Sequence, residues 1–595
     1  MPVTPTLSAH QRKLAAAAEA LQRGRVAEGE ALLREVLASR PSNAEALWQL
    51  GQLTMRAGRV NEAERLFGRL TRAEPKSAAA HTSRGFALAH LGRLNEALAS
   101  FERVVALTPR DSDAWSNRGI ALTNLRRTVD AAASFRKAVE LRPDNGHAHN
   151  NLGIALTNLG RFPDAIASFD RAIGLMPGNA EYHVNRGVTF GHMAQFEDAL
   201  DSYDRAAALV GVFMEAHRGR AGALENLARY DEALLAYDQA LALAPQDVGA
   251  LTGRANVNYA MGQHDQALTD YAAATGVDAN YADAHWDESL CRLAMGDYEH
   301  GWEKYEWRWK SALAHAKPAI PGSPWLGDTP IEGKTILVLG EQGLGDSLQF
   351  CRYLPTLAAR ARVILEVPRP LAGLLAKLEG VSAVIVAGDR RPAFDAWAPM
   401  MSLPLAFRTT LATIPATVPY LRADPEQTAG WRDRLASLPG RKVGLVWSGA
   451  PRPEDPHSYA IDRRRSMTLA HFAPLASVPG VSLISLQKGA PAEQTKNPPD
   501  GMTLHDWTDE LDDFENTAAL VEALDLVIAV DTSVAHLAGG LGKPVWVLNR
   551  FDLCWRWLRN RTSSPWYPTA RLFHQQTPGA WPDAMRDVAA ALRAW

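Results

Sequence analysis

A glycine-rich stretch between an apolar run and a predicted helix carries the first group suited to chemistry. It reads GEQGLGDSLQFCRYLP over residues 340–355 and follows KTILVL. Glycine-rich turns that open a helix commonly hold phosphate, because the backbone approaches closely and the helix start offers free N–H groups. Asp346 stands in this turn, where its charge would repel a phosphate. Its chemistry is instead proton transfer, since a carboxylate accepts the proton of a hydroxyl that attacks as a nucleophile.

Two alternatives for this turn stay open. Asp346 is also typical of a helix N-cap, and a rigid cap residue at a cleft edge can serve as a base as well. Glu341, in the same turn, is the second candidate base. A dinucleotide site is disfavoured because the glycines fall as G-x-x-G-x-G and Leu348 stands where the third glycine belongs, although Glu366 has the spacing of a ribose-binding acid.

A second turn offers the opposite chemistry, the binding of phosphate. Asp531, Thr532 and Ser533 follow the apolar run DLVIAV and precede the predicted helix VAHLAGGLG. Helix N–H groups and the two hydroxyls can hold a phosphate there. His536, on the first turn of this helix, is predicted to join them; the alternative is a histidine packed between helix and sheet.

Cations are needed beside a leaving phosphate. The run Arg463-Arg464-Arg465 follows the Trp447-Ser448-Gly449 turn, and we predict phosphate contact by Arg464 or Arg465; the alternative is a solvated charge cluster. Gln487 and Lys488 are predicted to contact the base or ribose of a nucleotide. The predicted donor-binding residues are Trp447, Ser448, Gly449, Arg464, Arg465, Gln487, Lys488, Asp531, Thr532, Ser533 and His536.

Short apolar runs that alternate with helical segments position these groups. KTILVLG, ARVILEV and VSAVIVAG predict parallel strands of one α/β unit; RKVGLVW, VSLISLQ, DLVIAV and PVWVLN predict those of a second. We expect two Rossmann-like domains in tandem, over residues 331–430 and 431–595, with a cleft between them. A proline- and glycine-rich linker, residues 316–330, precedes them. The Trp- and Arg-rich segment 555–567 is predicted either to close over a ligand or to be a packed hinge.

The first half of the chain is a repeat. Prolines recur every 34 residues, and so do glycines and alanines that let two helices approach closely. An aromatic ring follows each alanine by four residues and is expected to fill the gap to the next helix pair. The pattern predicts about eight helix pairs between residues 9 and 282, with a degenerate ninth as a cap. We assign residues 1–315 to this α-solenoid.

Asparagines recur in the predicted first helix of several pairs. A side-chain amide both donates and accepts, so a row of amides can grip the backbone of an extended peptide. The alternative is that asparagine is simply tolerated on a solvated face. The predicted acceptor-peptide residues are Asn117, Asn124, Asn151, Asn158, Asn185 and Asn226.

Composition limits the function classes. The 595 residues are 47% hydrophobic with a formal net charge of −3, which argues against a nucleic-acid binder. Three scattered cysteines fit no zinc pattern, no divalent-metal motif is present, and we find no signal-peptide core or membrane span. We therefore expect a cytoplasmic protein with no metal, no cofactor and no nucleic acid.

These motifs resemble known families. The 34-residue register resembles the tetratricopeptide repeat (TPR), and the asparagine row resembles that of eukaryotic O-GlcNAc transferase. GLGDSLQFCRYLP and DTSVAHLAGGLGKPVWVL resemble the two motifs of heptosyltransferases, glycosyltransferase family 9. With YEWRW, GLVWSG, RRRS and SPWYPTARLF, the chain resembles FlmG-type flagellin glycosyltransferases, which join TPRs to this module.

The resemblance implies a TPR superhelix followed by a GT-B glycosyltransferase module, metal-independent, with Asp346 as base. It implies transfer of a sugar, favoured as a CMP-linked nonulosonic acid such as pseudaminic or legionaminic acid, from a nucleotide sugar to Ser or Thr of a protein acceptor, flagellin being favoured. ADP-heptose as the donor, and a TPR scaffold whose GT-B module is inactive, remain alternatives.

Overall fold

The computed structural model describes residues 8–311, 314–453 and 455–595. The chain groups into two compact units that divide between Gly211 and Val212. The N-terminal unit is a stack of antiparallel helix pairs. Its helices are α1 (Ala9–Gln22), α2 (Val26–Ser39), α3 (Ala44–Arg56), α4 (Val60–Ala73), α5 (Ala78–His90), α6 (Leu94–Leu107), α7 (Ser112–Asn124), α8 (Thr128–Leu141), α9 (Gly146–Asn158), α10 (Phe162–Leu175), α11 (Ala180–His192) and α12 (Phe196–Leu209).

The recurring glycine and ring explain how each of these pairs closes. A β-carbon at Gly119 on α7 would lie 2.5 Å from Cε1 of Phe135 on α8, so only glycine leaves room for the ring. The same holds from the second pair to the sixth, including Gly187 against Tyr203. Each of these rings thus packs on the first helix of its own pair. The expectation that a ring fills the gap to the next pair is met at Tyr237, whose ring lies against Gly253 of the following pair.

A polar residue two positions after each proline starts the next pair. The side chains of Asn43, Ser77, Asp111, Asn145 and Asn179 each accept a hydrogen bond from a backbone N–H of the helix that follows. Such caps satisfy N–H groups that have no partner within the helix. The proline ends one helix and the cap begins the next, which fixes the 34-residue spacing.

The C-terminal unit begins with three more helix pairs. They are α13 (Met214–Asn226), α14 (Tyr230–Leu243), α15 (Val248–Met261), α16 (His264–Val277), α17 (Ala282–Met295) and the short α18 (Tyr298–Tyr305), followed by a 3-10 turn at Glu306–Trp309. Tyr298, Trp302 and Tyr305 are at most 1% exposed and belong to the core of the α/β region that follows. The predicted capping pair is therefore built into that core.

Two parallel sheets form the rest of this unit. The first contains β1 (Thr335–Leu339), β2 (Arg362–Val367), β3 (Val381–Val386) and β4 (Ala396–Pro399) in the order β3-β2-β1-β4. The second contains β5 (Arg441–Val446), β6 (Val481–Ser485), β7 (Leu504–Asp506), β8 (Leu526–Val530), β9 (Val545–Asn549) and β10 (Ala570–His574) in the order β10-β9-β8-β5-β6-β7. All seven predicted strands are present; β4, β7 and β10 were not predicted.

Nine helices accompany the sheets in the part of the chain that is described. They are α19 (Leu344–Phe350), α20 (Leu354–Ala358), α21 (Arg369–Leu375), α22 (Leu403–Ala406), α23 (Pro425–Ala436), α24 (Pro456–Arg465), α25 (Phe514–Ala523), α26 (Ser533–Gly540) and α27 (Trp581–Ala594). The first half of the chain is thus a helical TPR-like solenoid, and parallel α/β structure follows it.

Candidate active site

The turn that carries Asp346 lies against the start of α26. A β-carbon at Gly345 would lie 2.9 Å from Cδ2 of His536 and 3.2 Å from Cα of Ser533, so this glycine permits the close approach of α19 to α26. Because α19 follows β1 of the first sheet and α26 follows β8 of the second, the two turns singled out by their chemistry lie against each other. The structure thus brings the predicted base and the predicted phosphate site together.

Both oxygens of the Asp346 carboxylate have partners. Oδ2 accepts the backbone N–H of Gly343 at 2.7 Å. Gly343 is the N-cap of α19 and Asp346 is the third residue of the helix, so the alternative that Asp346 is itself the N-cap is wrong. Oδ1 accepts Nη2 of Arg556, a residue more than two hundred positions away that the sequence did not single out as a site residue. The guanidinium of Arg556 also donates to Oε1 of Gln349 at 2.8 Å and lies 4.5 Å from the centre of the Trp555 ring. The carboxylate is therefore fixed in orientation.

The start of α26 presents groups suited to an anion. Thr532 precedes the helix, and its Oγ1 is buried with no hydrogen-bond partner among the described residues. The first N–H groups of a helix have no partner within it and carry its positive dipole end. The hydroxyls of Thr532 and Ser533 therefore accompany a helix start that can bind a phosphate.

His536 fits the packed alternative. The ring is 5% exposed, hydrogen-bonds through Nδ1 to the hydroxyl of Tyr567 at 2.9 Å and stacks on Trp557. Its Nε2 lies 3.7 Å from Oδ1 of Asp531. Burial lowers the pKa of His536 to about 4, so the ring is neutral at pH 7. It supports the helix start from beneath.

Arg465 is the cation that the structure brings to this site. Its Nη1 donates to the backbone oxygen of Asp531 at 3.1 Å, and its Nη2 would lie 2.5 Å from a β-carbon at Gly449. Asp462 binds both Arg465, at 2.7 Å, and Arg452, at 2.9 Å. The Trp447-Ser448-Gly449 turn is thus next to the start of α26, and Arg452 and Asp462 are site residues that the sequence missed.

The structure corrects the assignment of Glu341. Its side chain is only 8% exposed, and its two oxygens accept Arg308 nitrogens at 3.0 Å each. Oε1 also accepts the backbone N–H of Met401 at 2.9 Å. A carboxylate so enclosed joins the last repeat to the first sheet, so Glu341 is not a candidate base.

Arg464 also has a structural role. Its Nε donates to Asp552 at 2.9 Å, and its Nη1 donates to the backbone oxygen of Asn226 at 3.2 Å, so it ties α24 to α13. The side chain of Asn226 donates to Gly222 of its own helix at 2.8 Å. Phosphate contact by Arg464 and peptide contact by Asn226 are both corrected, because Arg464 is engaged with Asp552 and α13, and the Asn226 amide with its own helix.

The side chains of three further predicted donor-binding residues are engaged within the protein and do not line the turn that follows β5. Oε1 of the buried Gln487 accepts the N–H groups of Trp447 and Ser448 at 3.0 and 2.8 Å. The Trp447 ring is fully buried beside Phe472, so only its backbone is at the turn. Lys488 donates to the backbone oxygen of Thr508 at 2.7 Å. Contact of Gln487 or Lys488 with a base or ribose is therefore not what the geometry favours.

The Trp- and Arg-rich segment 555–567 is a packed hinge. Trp557, Trp566 and Tyr567 are fully buried, and the Trp555 ring lies 5.3 Å from that of Trp302 on α18. Arg352, just after α19, donates to the backbone oxygen of Trp566 at 2.6 Å. The segment holds the last repeat and both sheets around the site, and it is not an exposed lid.

The asparagines of the N-terminal unit lie where the sequence placed them, on α7, α9 and α11. The amides of Asn117 and Asn151 make no hydrogen bond to any residue that the structure describes, and Asn124 and Asn158 are exposed. Asn185 donates to Oδ1 of Asn150 at 3.0 Å. The amides of two neighbouring repeats are thus free to bind a ligand.

An apolar row with the same period accompanies these asparagines, and the sequence analysis missed it. Phe86, Ile120 and Val188 are each 43–44% exposed, and Ile154 is partly buried. Ile120, Ile154 and Val188 lie three positions after Asn117, Asn151 and Asn185, respectively, on the same helix face. The 34-residue spacing of these residues was the signal available in the sequence.

No helix in the part of the chain that the structure describes is both long enough and apolar enough to cross a membrane. No group of three or more His, Cys, Asp or Glu side chains among the described residues is arranged to hold a metal ion.

Models of the tetratricopeptide repeat match residues 20–85 and, in overlapping stretches, residues 92–145, 116–180 and 185–248. The first half of the chain therefore contains TPRs, as the register predicted.

A curated relative extends over part of the chain. Protein FlbA of Caulobacter vibrioides is 32% identical over 328 residues, which are 51% of this chain and 53% of FlbA. The chain thus spans about half the length of the curated relative it matches.

Solved structures share the repeat fold. YrrB, described as a TPR protein with an unusual peptide-binding site, is 22% identical, covers 31% of this chain and 95% of its own, and gives a TM-score of 0.28. MamA is 19% identical over 27% of this chain and 94% of its own, with a TM-score of 0.26. The Cut9–Hcn1 tetramer of APC/C is 14% identical over 47% and 56%, with a TM-score of 0.35. These are similarities of fold alone.

Proposed function

We propose that the chain is a protein O-glycosyltransferase, in which the α/β region is a GT-B module and the TPRs hold the acceptor polypeptide. The observation that carries this proposal is the approach of Asp346 to the start of α26, with 3.2 Å between Cα of Ser533 and a β-carbon at Gly345. A base and an anion site on facing elements are what transfer from a nucleotide sugar to a hydroxyl requires.

In the proposed step, the acceptor Ser or Thr oxygen bonds to the anomeric carbon of the sugar. The bond from that carbon to the nucleotide phosphate oxygen breaks, and its electron pair leaves with the phosphate. Asp346 takes the hydroxyl proton, while the α26 N–H groups, the Thr532 and Ser533 hydroxyls and Arg465 receive the charge of the leaving phosphate.

The favoured acceptor is flagellin, and the favoured donor is a CMP-linked nonulosonic acid; both follow from the family resemblance. Modification of flagellin would have to precede its export, which fits a cytoplasmic enzyme. The free amides of Asn117 and Asn151 and the apolar row beside them support peptide binding by the repeats. The charge of the leaving group is met here by protein groups, so the proposed step needs neither metal nor cofactor.

The test is transfer by the full-length chain to flagellin, with CMP-pseudaminic acid, CMP-legionaminic acid and ADP-heptose each offered as donor. Intact-protein mass spectrometry should show a sugar-sized mass gain with one of them. Asp346→Asn should slow that gain by about 10²- to 10⁴-fold, the usual contribution of a general base. Asp389→Asn, at an exposed loop carboxylate, is the matched control and should transfer at the wild-type rate.

A TPR scaffold with an inactive α/β module is the second candidate. It is favoured by the occupation of both Asp346 oxygens, one by Gly343 and one by Arg556. Strong binding of an acceptor with no mass gain from any donor would support this candidate. Equal transfer by Asp346→Asn and the wild type would contradict the assigned base.

A further inference from the structure

Arg556 stands out among the side chains that the proposed chemistry leaves without a role. Its guanidinium and the Asp346 carboxylate are 11% and 18% exposed. Three other contacts hold the guanidinium: Gln349 on α19, the thiol of Cys554 at 3.3 Å and the face of Trp555. A planar guanidinium fixed in this way presents its N–H groups in one direction.

The backbone around Arg556 is equally constrained. Trp555 and Trp557 on either side are buried, the first against Trp302 and the second against His536. The Asp346 carboxylate is held by Gly343 on one oxygen and by Arg556 on the other. Gly343 can fix only one oxygen, so the second contact decides the rotation of the carboxylate.

We propose that Arg556 is a positioning residue for Asp346, which fixes the orientation of the carboxylate toward the proton of the acceptor hydroxyl. This inference rests on the glycosyl transfer proposed above. A held orientation avoids reorganisation when the proton is transferred.

Arg559 provides the matched control, three residues further along the same segment. Its Nη2 donates to the backbone oxygen of Tyr259, at the end of α15, at 3.4 Å, and also to that of Ala260, and its guanidinium lies 5.7 Å from the Phe551 ring. It holds the segment to the last repeats and does not contact Asp346. Arg559→Gln therefore reports a loss of support without a change at the carboxylate.

The experiment measures kcat and the donor KM of transfer for the full-length chain and its variants. Arg556→Gln should lower kcat about 10- to 100-fold, as expected when a catalytic group loses its orientation. The donor KM should change less than about 3-fold, because the donor-binding groups at the start of α26 are not altered. Arg556→Lys keeps a cationic donor toward the carboxylate and should recover part of the lost kcat.

Arg559→Gln should lower the melting temperature and leave kcat unchanged. A wild-type kcat in Arg556→Gln would overturn the positioning role. If Arg556→Gln does not fold, a folded Arg556→Lys with a raised donor KM and a wild-type kcat would also overturn it. Asp346→Asn separates the two proposals: an inactive Asp346→Asn beside an unaltered Arg556→Gln removes only the positioning role, and an active Asp346→Asn removes the assigned base as well.

Discussion

The repeats of the N-terminal unit and those of the C-terminal unit use the same 34-residue register differently. From Gly51 to Gly187, the register glycine lets a ring pack within its own pair. At the next position the chain has Ala221, and the ring of Tyr237 on α14 packs instead against Gly253 of the following pair. The methyl group of Ala221 takes the space that the ring uses in the earlier repeats.

The bonding of polar side chains also differs between the repeats of the N-terminal unit and those of the C-terminal unit. The Tyr237 hydroxyl donates to Glu225 at 2.9 Å, and the Tyr271 hydroxyl donates to Asn256, which donates to Asp287 at 2.9 Å. The first helices of the C-terminal repeats thus carry an internal polar network, whereas Asn117 and Asn151 of the N-terminal unit are left open. One repeat pattern therefore leaves amides open in one unit and builds a bonded polar network next to the α/β core in the other.

The largest expected effect on stability is at the ion pairs that join the last repeat to the first sheet. Arg308 is fully buried and binds Glu306, Glu341 and Ser402. Arg308→Met leaves buried carboxylates without their cation and should destabilise the C-terminal unit by about 3–5 kcal/mol, measured by urea unfolding. Arg586→Met, at an exposed pair with Asp583 in the same unit, should leave the midpoint unchanged. Equal effects of the two changes would contradict the stabilising role of the buried Arg308 ion pairs.

The second-largest effect on stability is expected at the glycines against which an aromatic ring of the repeat packs. Gly119→Ala forces the Phe135 ring aside and should cost about 1–3 kcal/mol. Gly253→Ala should cost more, because the Tyr237 ring it meets is also held by Glu225. Gly174→Ala on α10, where nothing lies within 4 Å of the new β-carbon, should stabilise by about 0.5–1 kcal/mol and serves as control. A uniform cost at all three would contradict this account of the register.

The polar network predicts a pH dependence of stability. Burial raises the pKa of Glu225 and that of Asp287 to about 7. Between about pH 4 and 7 the folded state therefore binds more protons than the unfolded chain, so the free energy of unfolding decreases as pH rises through this window. We expect a loss of about 1–3 kcal/mol between pH 5 and pH 8 by urea unfolding. The double variant Glu225→Gln, Asp287→Asn should flatten the dependence, and Glu102→Gln on an exposed face of the N-terminal unit should not.

Some features of the fold could be predicted from the sequence alone. The repeats and seven strands follow from local spacing, because proline, glycine and apolar runs act within a few residues. The strands β4, β7 and β10 are short or mixed in character, as in LHD and AWAP, and periodicity gives no signal over three or four residues.

The site was harder to predict because its decisive contacts are remote in the chain. Asp346 and Thr532 stood out through their turns, but nothing near Asp346 indicates that Arg556 binds it. Arg464 and Arg465 are adjacent in a helix, so their side chains point about 100° apart and reach different partners. A run of three arginines cannot indicate which of them faces a site.

The smallest expected effect compares one asparagine from each unit. Asn151 has a free amide on α9, whereas the amide of Asn226 on α13 is bonded to Gly222 of its own helix. If the amides of the N-terminal unit hold the backbone of an acceptor, Asn151→Ala should weaken acceptor binding about 2- to 10-fold, the value of one net hydrogen bond. Asn226→Ala should leave the affinity unchanged, as measured by titration calorimetry with the unmodified acceptor. The reverse ranking would place the acceptor on the C-terminal repeats, and with it the assignment of ligand access to the N-terminal unit would be wrong.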